Sequence, residues 1–146
     1  SSAASDVYKR QAVESAYAHG YRHFICGMAN GCDLYFFDAA RYLRLSHPEV
    51  TIEAAIPFSG QADRWRPELR ARYDYDLRQC DYQTLVQETY TPDCMMRRNR
   101  YMVDASRILI AAFDGRPGGT ARTLEYAARR KLEIIQLPID RAPVEL

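Results

Sequence analysis

The chain has 146 residues, of which 47% are hydrophobic, 27% charged and 12% aromatic, enough for one compact core but short for two. Twenty basic residues against nineteen acidic ones give a net charge of +1, which disfavours general attraction to nucleic acid or anionic lipid. The longest apolar runs, such as Ile108 to Phe113, are too short for a membrane-spanning helix or a signal peptide. We therefore expect a cytoplasmic protein without membrane contacts.

The cysteines do not form a pattern typical of metal binding. Cys26, Cys32, Cys80 and Cys94 show no C-x-x-C spacing and no partnered histidines, so neither a zinc site nor a secreted disulfide framework is indicated. We expect reduced and mostly buried thiols, no metal and no cofactor.

The first eleven residues, Ser1 to Gln11, resemble the in-frame translation of a transposon-end sequencing adapter, codon by codon. Residues 1–11 are therefore predicted to be non-native, to pack no core and to serve no function, although they could extend a following helix. On this interpretation the native sequence starts at Ala12, and whatever preceded it is missing.

The rest of the chain alternates between helical and strand patterns. Val13, Ala16 and Tyr17 have helical spacing and lead to Gly20, where a helix can stop. Strands are predicted near residues 22–26, 51–56, 82–86, 107–113 and 133–137. Further helices are predicted from Asp33 to about Pro48 and over 67–80, 93–106 and 120–130. Such alternation indicates parallel β-α-β units with right-handed crossovers.

A first glycine-bearing turn, Gly27 to Asp33, lies between a predicted strand and a helix. It would let backbone approach a ligand and direct helix N-terminal amides at an anion. The turn could equally serve only to reverse the chain, with Asp33 as a helix cap.

A second turn, Gly115 to Thr120, again joins a strand to a helix. Gly118 and Gly119 lack side-chain bulk and Thr120 can donate to a phosphate oxygen or cap the helix, which suits a phosphate cradle. The carboxyl edge of an open α/β sheet is the usual ligand site, so both turns are expected to line one crevice.

Two other segments carry candidate ligand contacts. Arg97 and Arg98 can bind phosphate in bidentate fashion, and Asn99 can bond a sugar or base edge; the alternative is a solvated helix with an Arg100–Asp104 ion pair. Gln61 and Trp65, in the loop after the second strand, could contact a planar base, but Trp65 is more typical of a residue that closes the core.

The order of these motifs resembles the YpsA-like branch of the SLOG superfamily. The resemblance rests on the following residues: Gly27-Met28-Ala29-x-Gly31-x-Asp33, Pro57-Phe58-x-x-Gln61-x-x-x-Trp65, Arg98-Asn99-x-Tyr101-Met102-Val103-Asp104 and Gly118-Gly119-Thr120-x-x-Thr123. It implies a three-layer Rossmann-like α/β domain with a mostly parallel sheet over residues 12–140. It also implies nucleotide-type ligands at the strand carboxyl edge. The prolines near the C-terminus separately predict an irregular tail at 141–146.

The chain departs from that family in two respects. Members usually open with a strand that runs into a Thr-Gly-His-Arg-like loop, and nothing here matches it, so the usual first, central strand and one wall of the crevice are predicted to be missing. The related Lonely-guy phosphoribohydrolases place a catalytic glutamate after their glycine motif. Glu125 matches that position only with shifted spacing, and an ordinary exposed helix acid is the alternative.

The expected function is binding of a nucleotide or nucleotide-derived small molecule as a sensor or regulatory domain. The predicted ligand-binding residues are Gly27, Met28, Ala29, Gly31, Asp33, Gln61, Arg97, Arg98, Asn99, Gly118, Gly119 and Thr120. The alternative is N-glycosidase action on a nucleoside monophosphate, with Glu125 or Asp33 stabilising the ribosyl cation. DNA processing of the DprA type fits the neutral charge poorly. Whether the protein turns over a substrate or forms a homo-oligomer stays open.

Overall fold

The computed structural model describes residues 3–29 and 32–139, in which helices and strands alternate as predicted. The helices are α1 (Ala3–Ala18), α2 (Cys32–Ser46), α3 (Pro67–Gln79), α4 (Cys94–Asp104) and α5 (Gly119–Arg129), and the strands are β1 (His23–Cys26), β2 (Thr51–Ile56), β3 (Tyr82–Leu85), β4 (Ile108–Ala112) and β5 (Glu133–Leu137). The predicted tail, 141–146, lies outside these residues. No helix in the described part of the chain is long and apolar enough to cross a membrane.

Every strand pair in the described chain is parallel, which confirms the α/β prediction. One sheet has the order β1-β2-β3, with Cys26 opposite Ala54 and Ile56 opposite Leu85. A second sheet pairs β4 with β5. The described strands thus form two parallel sheets, in keeping with the prediction of a mostly parallel sheet that lacks one central strand. The reason is that β1 and β4 face each other across a cavity of about 480 Å³ rather than bonding directly.

The helices cover both faces of the larger sheet. Successive side chains of β2 point alternately to the two faces, and both sets contact helices. Ile52, Ala54 and Ile56 belong to the buried core that also contains Phe37 of α2 and Tyr73 of α3. The intervening residue, Glu53, points to the opposite face and is bonded by Tyr101 of α4. Helices α2 and α3 therefore lie on one face and α4 on the other, which gives the three layers of a Rossmann-like fold.

Part of the segment expected to be adapter-derived packs against the domain. Lys9 is only 1% exposed and follows the same face of α1 as Val13 and Ala16, which are also buried. Its ammonium lies 4.8 Å from the centre of the Tyr35 ring. The prediction that residues 1–11 pack no core is therefore wrong at Lys9, because the helix continues in register and carries this side chain inward.

Three cysteines are reduced, as expected. Cys26, Cys80 and Cys94 carry free thiols, and Cys26 and Cys94 are buried. Burial raises the pKa of the Cys80 thiol to about 11, so this thiol stays protonated near neutral pH.

Candidate functional site

Both predicted turns follow the carboxyl ends of strands. Gly27 comes directly after β1, and the turn from Gly115 to Gly118 joins β4 to α5. In the first turn, Met28 has a left-handed backbone with φ of 58° although it is not glycine, a conformation that folded proteins retain mainly where the surroundings impose it. Met28 is fully buried, so its side chain packs inward and holds the turn in place.

Gly27 lies close to two charged side chains, those of Arg98 and Asp33. A Cβ atom built there would lie 2.9 Å from Cζ of Arg98 and 2.9 Å from Oδ2 of Asp33. These distances are shorter than van der Waals contact allows, so any side chain at residue 27 would displace both charged groups. The glycine therefore leaves the space behind the turn that the side chains of Arg98 and Asp33 occupy.

Arg98 of α4 reaches across the ends of two strands. Its Nη1 donates to the carbonyl oxygens of Gly27 and, at 3.4 Å, Ala55, and its Nε donates to Oδ1 of Asn99 at 2.9 Å. The residue is 4% exposed. Burial lowers the pKa of Arg98 while Asp33 opposes that shift, and the guanidinium remains charged at any physiological pH. Arg98 therefore supplies a fixed, buried positive charge at this edge.

Asp33, in the first turn of α2, is the acid that faces this charge. Burial raises the pKa of its carboxyl, and Arg98 and the Ala29 amide oppose the rise. That amide donates to Oδ2 of Asp33 at 3.3 Å. Asp33 thus closes the turn after β1, a role close to the helix cap that the sequence left open as an alternative.

A chain of hydrogen bonds joins this cluster to the second turn. Asn99, whose Oδ1 accepts from Arg98, donates from Nδ2 to the hydroxyl of Thr123 at 3.0 Å. Thr123 in turn donates to the carbonyl oxygen of Gly119 at 2.8 Å. The structure therefore connects α4, through Asn99 and Thr123, with the first turn of α5.

The N-terminus of α5 is open. Gly118 occupies the cap position with φ of 148° and offers no side chain to the first amides of the helix. Gly118, Gly119 and Thr120 are exposed, and a Cβ at Gly119 would have no atom within 4 Å. The first amides of a helix lack internal partners and carry partial positive charge, so this end can accept an anion.

Other predicted contacts lie away from this cluster. Arg97 is exposed and donates to Oε1 of Gln87 at 3.1 Å, in the loop after β3. Gln61 is buried, donating from Nε2 to the Tyr73 hydroxyl at 3.3 Å, while its Oε1 has no hydrogen-bond partner among the described residues. Gly31 lies outside the described residues.

Two expectations about neighbouring side chains can be compared with the structure. Trp65 packs on the core and meets Tyr73 edge to face at 5.2 Å, which confirms its core role. The prediction of an Arg100–Asp104 ion pair is wrong, since Asp104 pairs with Arg130 at 3.2 Å. Arg100 instead lies over the Tyr126 ring, because α5 packs beside α4 and supplies nearer partners.

The sequence interpretation missed a polar cluster around Glu53. This residue is 7% exposed and accepts from Tyr101, from His23 Nε2 at 2.7 Å and from Thr84 at 2.9 Å. Burial opposes its ionisation, but these hydrogen bonds outweigh burial and hold the pKa of Glu53 below its usual value. One acid within the apolar strand 51–56 was the signal that could have revealed the cluster.

Comparison with known proteins assigns the chain to a family. The YpsA model, described as the YspA SLOG family, matches residues 7–141. The chain is 30% identical over 121 residues to an uncharacterized SPbeta prophage-derived protein, YoqJ, of Bacillus subtilis, covering 75% of this chain and 71% of that protein. It is 25% identical over 139 residues to a UPF0398 protein of Bacillus velezensis, covering 91% and 76% respectively.

A UPF0398 protein of Bacillus thuringiensis is 24% identical over 106 residues, which span 71% of this chain and 58% of that relative. The family match covers most of the chain and the three relatives agree with it. The chain belongs to the YpsA family of SLOG proteins.

Proposed function

We propose that this protein binds a nucleotide or nucleotide-derived small molecule at the carboxyl edge of its strands, as a sensor or regulatory domain. The observation that carries the proposal is the open, exposed N-terminus of α5, which hydrogen bonds through Thr123 and Asn99 connect to the buried charge of Arg98. A phosphate is the group that such a helix end suits best.

Each part of the site has a distinct role in this proposal. The amides of Gly119 and Thr120 bind a phosphate group, and the absence of side chains at Gly118 and Gly119 lets it approach the backbone. Arg98 stabilises the anion through its charge, since its Nη1 and Nε hydrogen bonds are directed to protein oxygens. Asp33 holds the first turn and its carboxylate can accept a bond from a ribose hydroxyl.

Binding is preferred to glycosidase chemistry because of the position of Glu125. This residue is exposed and lies six residues after Gly119, about 9 Å further along the axis of α5. A carboxylate that stabilises a ribosyl cation must lie against the sugar. The open phosphate position and Glu125 are therefore too far apart along the helix to act on a compact nucleoside monophosphate together.

Replacement of Gly119 by valine tests the proposal. The site has open space at this Cβ and an unstrained backbone, so we expect the protein to fold normally while the branched side chain blocks phosphate approach. Calorimetric titration with AMP, ADP-ribose and NAD should show binding of at least one compound and a loss of tenfold or more in Gly119→Val, equivalent to about 1.4 kcal/mol.

The matched control is Ala128→Val, which places the same valine side chain at an exposed position near the other end of α5. It should bind as the wild type does. Wild-type protein that binds none of the three compounds, or equal affinity for Gly119→Val and wild type, would show that this turn is not the phosphate site.

A further inference from the structure

Large exposed side chains lie side by side on the outer surface of α2 and α3. In α2, Tyr42 is 56% exposed and Leu45 is 78% exposed, and in α3 Tyr75 is 44% exposed. Single exposed apolar residues are ordinary, whereas a contiguous group of them is typical of an interaction surface. We call this surface the α2–α3 face, and it consists of Arg41, Tyr42, Leu45, Tyr75 and Arg78.

Contacts to Tyr75 join the two helices of this face. Nη2 of Arg41 donates to the Tyr75 hydroxyl at 2.9 Å, and Cζ of Arg41 lies 5.1 Å from the centre of the ring. Cζ of Arg78 lies 5.9 Å from the same ring centre. On α2, Leu45 follows Arg41 by four residues and Tyr42 by three, which places it beside both on the helix surface. Arg41 and Tyr75 are thus ordered before a partner binds, which reduces the entropy lost on binding.

The α2–α3 face is positively charged, although the whole chain has a net charge of only +1. In the part of the chain that the structure describes, neither of its two arginines forms an ion pair with a carboxylate. Asp38 of α2 and Asp76 of α3 are both bonded by Arg72. Asp74 lines a separate cavity beside β3. The face therefore offers positive charge that the described chain leaves unpaired.

The chemistry of this face favours one class of occupant. Tyrosine and arginine are enriched at protein interfaces and often dominate their binding energy. A second copy of the chain, docked symmetrically through the same face, would bring like charges together. Nucleic acid is bound through many phosphate contacts, and two arginines supply few. Carboxylates, by contrast, pair with arginine in bidentate fashion.

We propose that the α2–α3 face binds an acidic segment of a partner protein. Carboxylates of the segment pair with Arg41 and Arg78, and its apolar side chains cover Tyr42 and Leu45. The face is separate from the proposed ligand edge, because Arg41 lies eight residues after Asp33 in α2, about 12 Å along the helix axis. The proposal therefore does not depend on the ligand.

The test uses a fluorescein-labelled peptide of ten residues, six glutamates and four leucines, and measures its binding by fluorescence anisotropy. We expect saturable binding to the wild type and at least tenfold weaker binding to the double variant Arg41→Gln/Arg78→Gln. The matched control is Arg64→Gln/Arg129→Gln, which removes the same charge from exposed positions elsewhere and should lower affinity less than twofold. No binding to the wild type, or equal losses in the two double variants, would overturn the proposal.

A second measurement covers poor folding of the arginine variant. The same peptide, unlabelled, is titrated into ¹⁵N-labelled wild-type protein. Amide shifts centred on residues 41–45 and 75–78 support the proposal, and shifts confined to other segments overturn it.

Other occupants of the face are tested directly. Single-stranded oligothymidine that shifts the same amides and binds more tightly than the peptide would overturn the proposal in favour of nucleic acid. Self-association of the chain in sedimentation, lost in Leu45→Lys, would overturn it in favour of a second copy.

Discussion

At the scale of single residues, the charged groups at the strand ends depend on one another. Gly27 provides the space in which Arg98 and Asp33 approach, and Arg98 bonds the carbonyl oxygens that end β1 and β2. Because breaking one partner of a buried charged pair leaves the other uncompensated, substitutions here affect stability as well as binding. Binding losses in Arg98 variants would therefore not by themselves identify a ligand contact, which is why Gly119 is the better probe.

The Asp33 carboxyl gives a prediction for the pH dependence of stability. Burial raises its folded pKa above the unfolded value, so the folded protein binds this proton more tightly than the unfolded chain does. Stability from this group is therefore greatest below the ordinary aspartate pKa of about 3.9 and falls as pH rises through the folded pKa. Asp33→Asn removes that fall.

We expect the unfolding free energy of Asp33→Asn, relative to wild type, to increase between about pH 4 and neutral pH. Urea unfolding at several pH values measures this difference. Glu125→Gln is the matched control, since it removes the same charge from an exposed position and should leave the pH dependence nearly unchanged. A relative stability of Asp33→Asn that does not vary with pH would contradict the assignment.

Residue-level roles were the part of the site that the sequence predicted least well. The motif identified Arg98 and Asn99, but helical phase could not show that Arg98 would be buried and bonded to Gly27, which is 71 residues away in the chain. The same limit applies to Asp104, whose partner Arg130 comes from another helix. Contacts between distant segments depend on packing angles that local spacing does not encode.

At the scale of elements, the strands and helices were predictable because their signals are local. Short apolar runs bounded by glycine or proline, such as Thr51 to Ile56 before Pro57, mark buried strands. The open cap of α5 could also be anticipated, since Gly118 and Gly119 offer no capping side chain. The burial of Lys9 could not, because it depends on α1 packing against α2.

Helix α1 gives a prediction of its own. The Lys9 ammonium is buried and has no hydrogen-bond acceptor among the described residues, and the Tyr35 ring at 4.8 Å compensates only in part. Lys9→Met keeps the length of the side chain and removes the buried charge. We therefore expect the variant to be more stable by about 1 kcal/mol or more.

Thermal or urea unfolding of Lys9→Met and wild type measures this effect. Arg10→Met, at an exposed position one residue further on, is the control and should change stability by less than about 0.5 kcal/mol. A Lys9→Met variant that is less stable than wild type would contradict this expectation. It would mean that the Lys9 ammonium makes a net favourable interaction with the domain.

At the scale of the whole molecule, the strands form two parallel sheets, β1-β2-β3 and β4-β5, with the cavity between β1 and β4. The parallel β-α-β pattern predicts that both glycine turns lie at the carboxyl edge of the strands. It could not give the width of the separation between β1 and β4, because that depends on how helices from both faces pack around the cavity. We propose that the two turns, which come from separate sheets, contribute to one ligand site at this edge.

The most direct test of that claim is a ¹H–¹⁵N NMR titration of the ¹⁵N-labelled protein with ADP-ribose. We predict that the amide signals of Gly27 to Ala29 and of Gly118 to Thr120 shift together with one saturation curve, while exposed amides at the far end of α5 do not. Shifts confined to one turn, different saturation curves for the two turns, or no shift at either would contradict a single shared site.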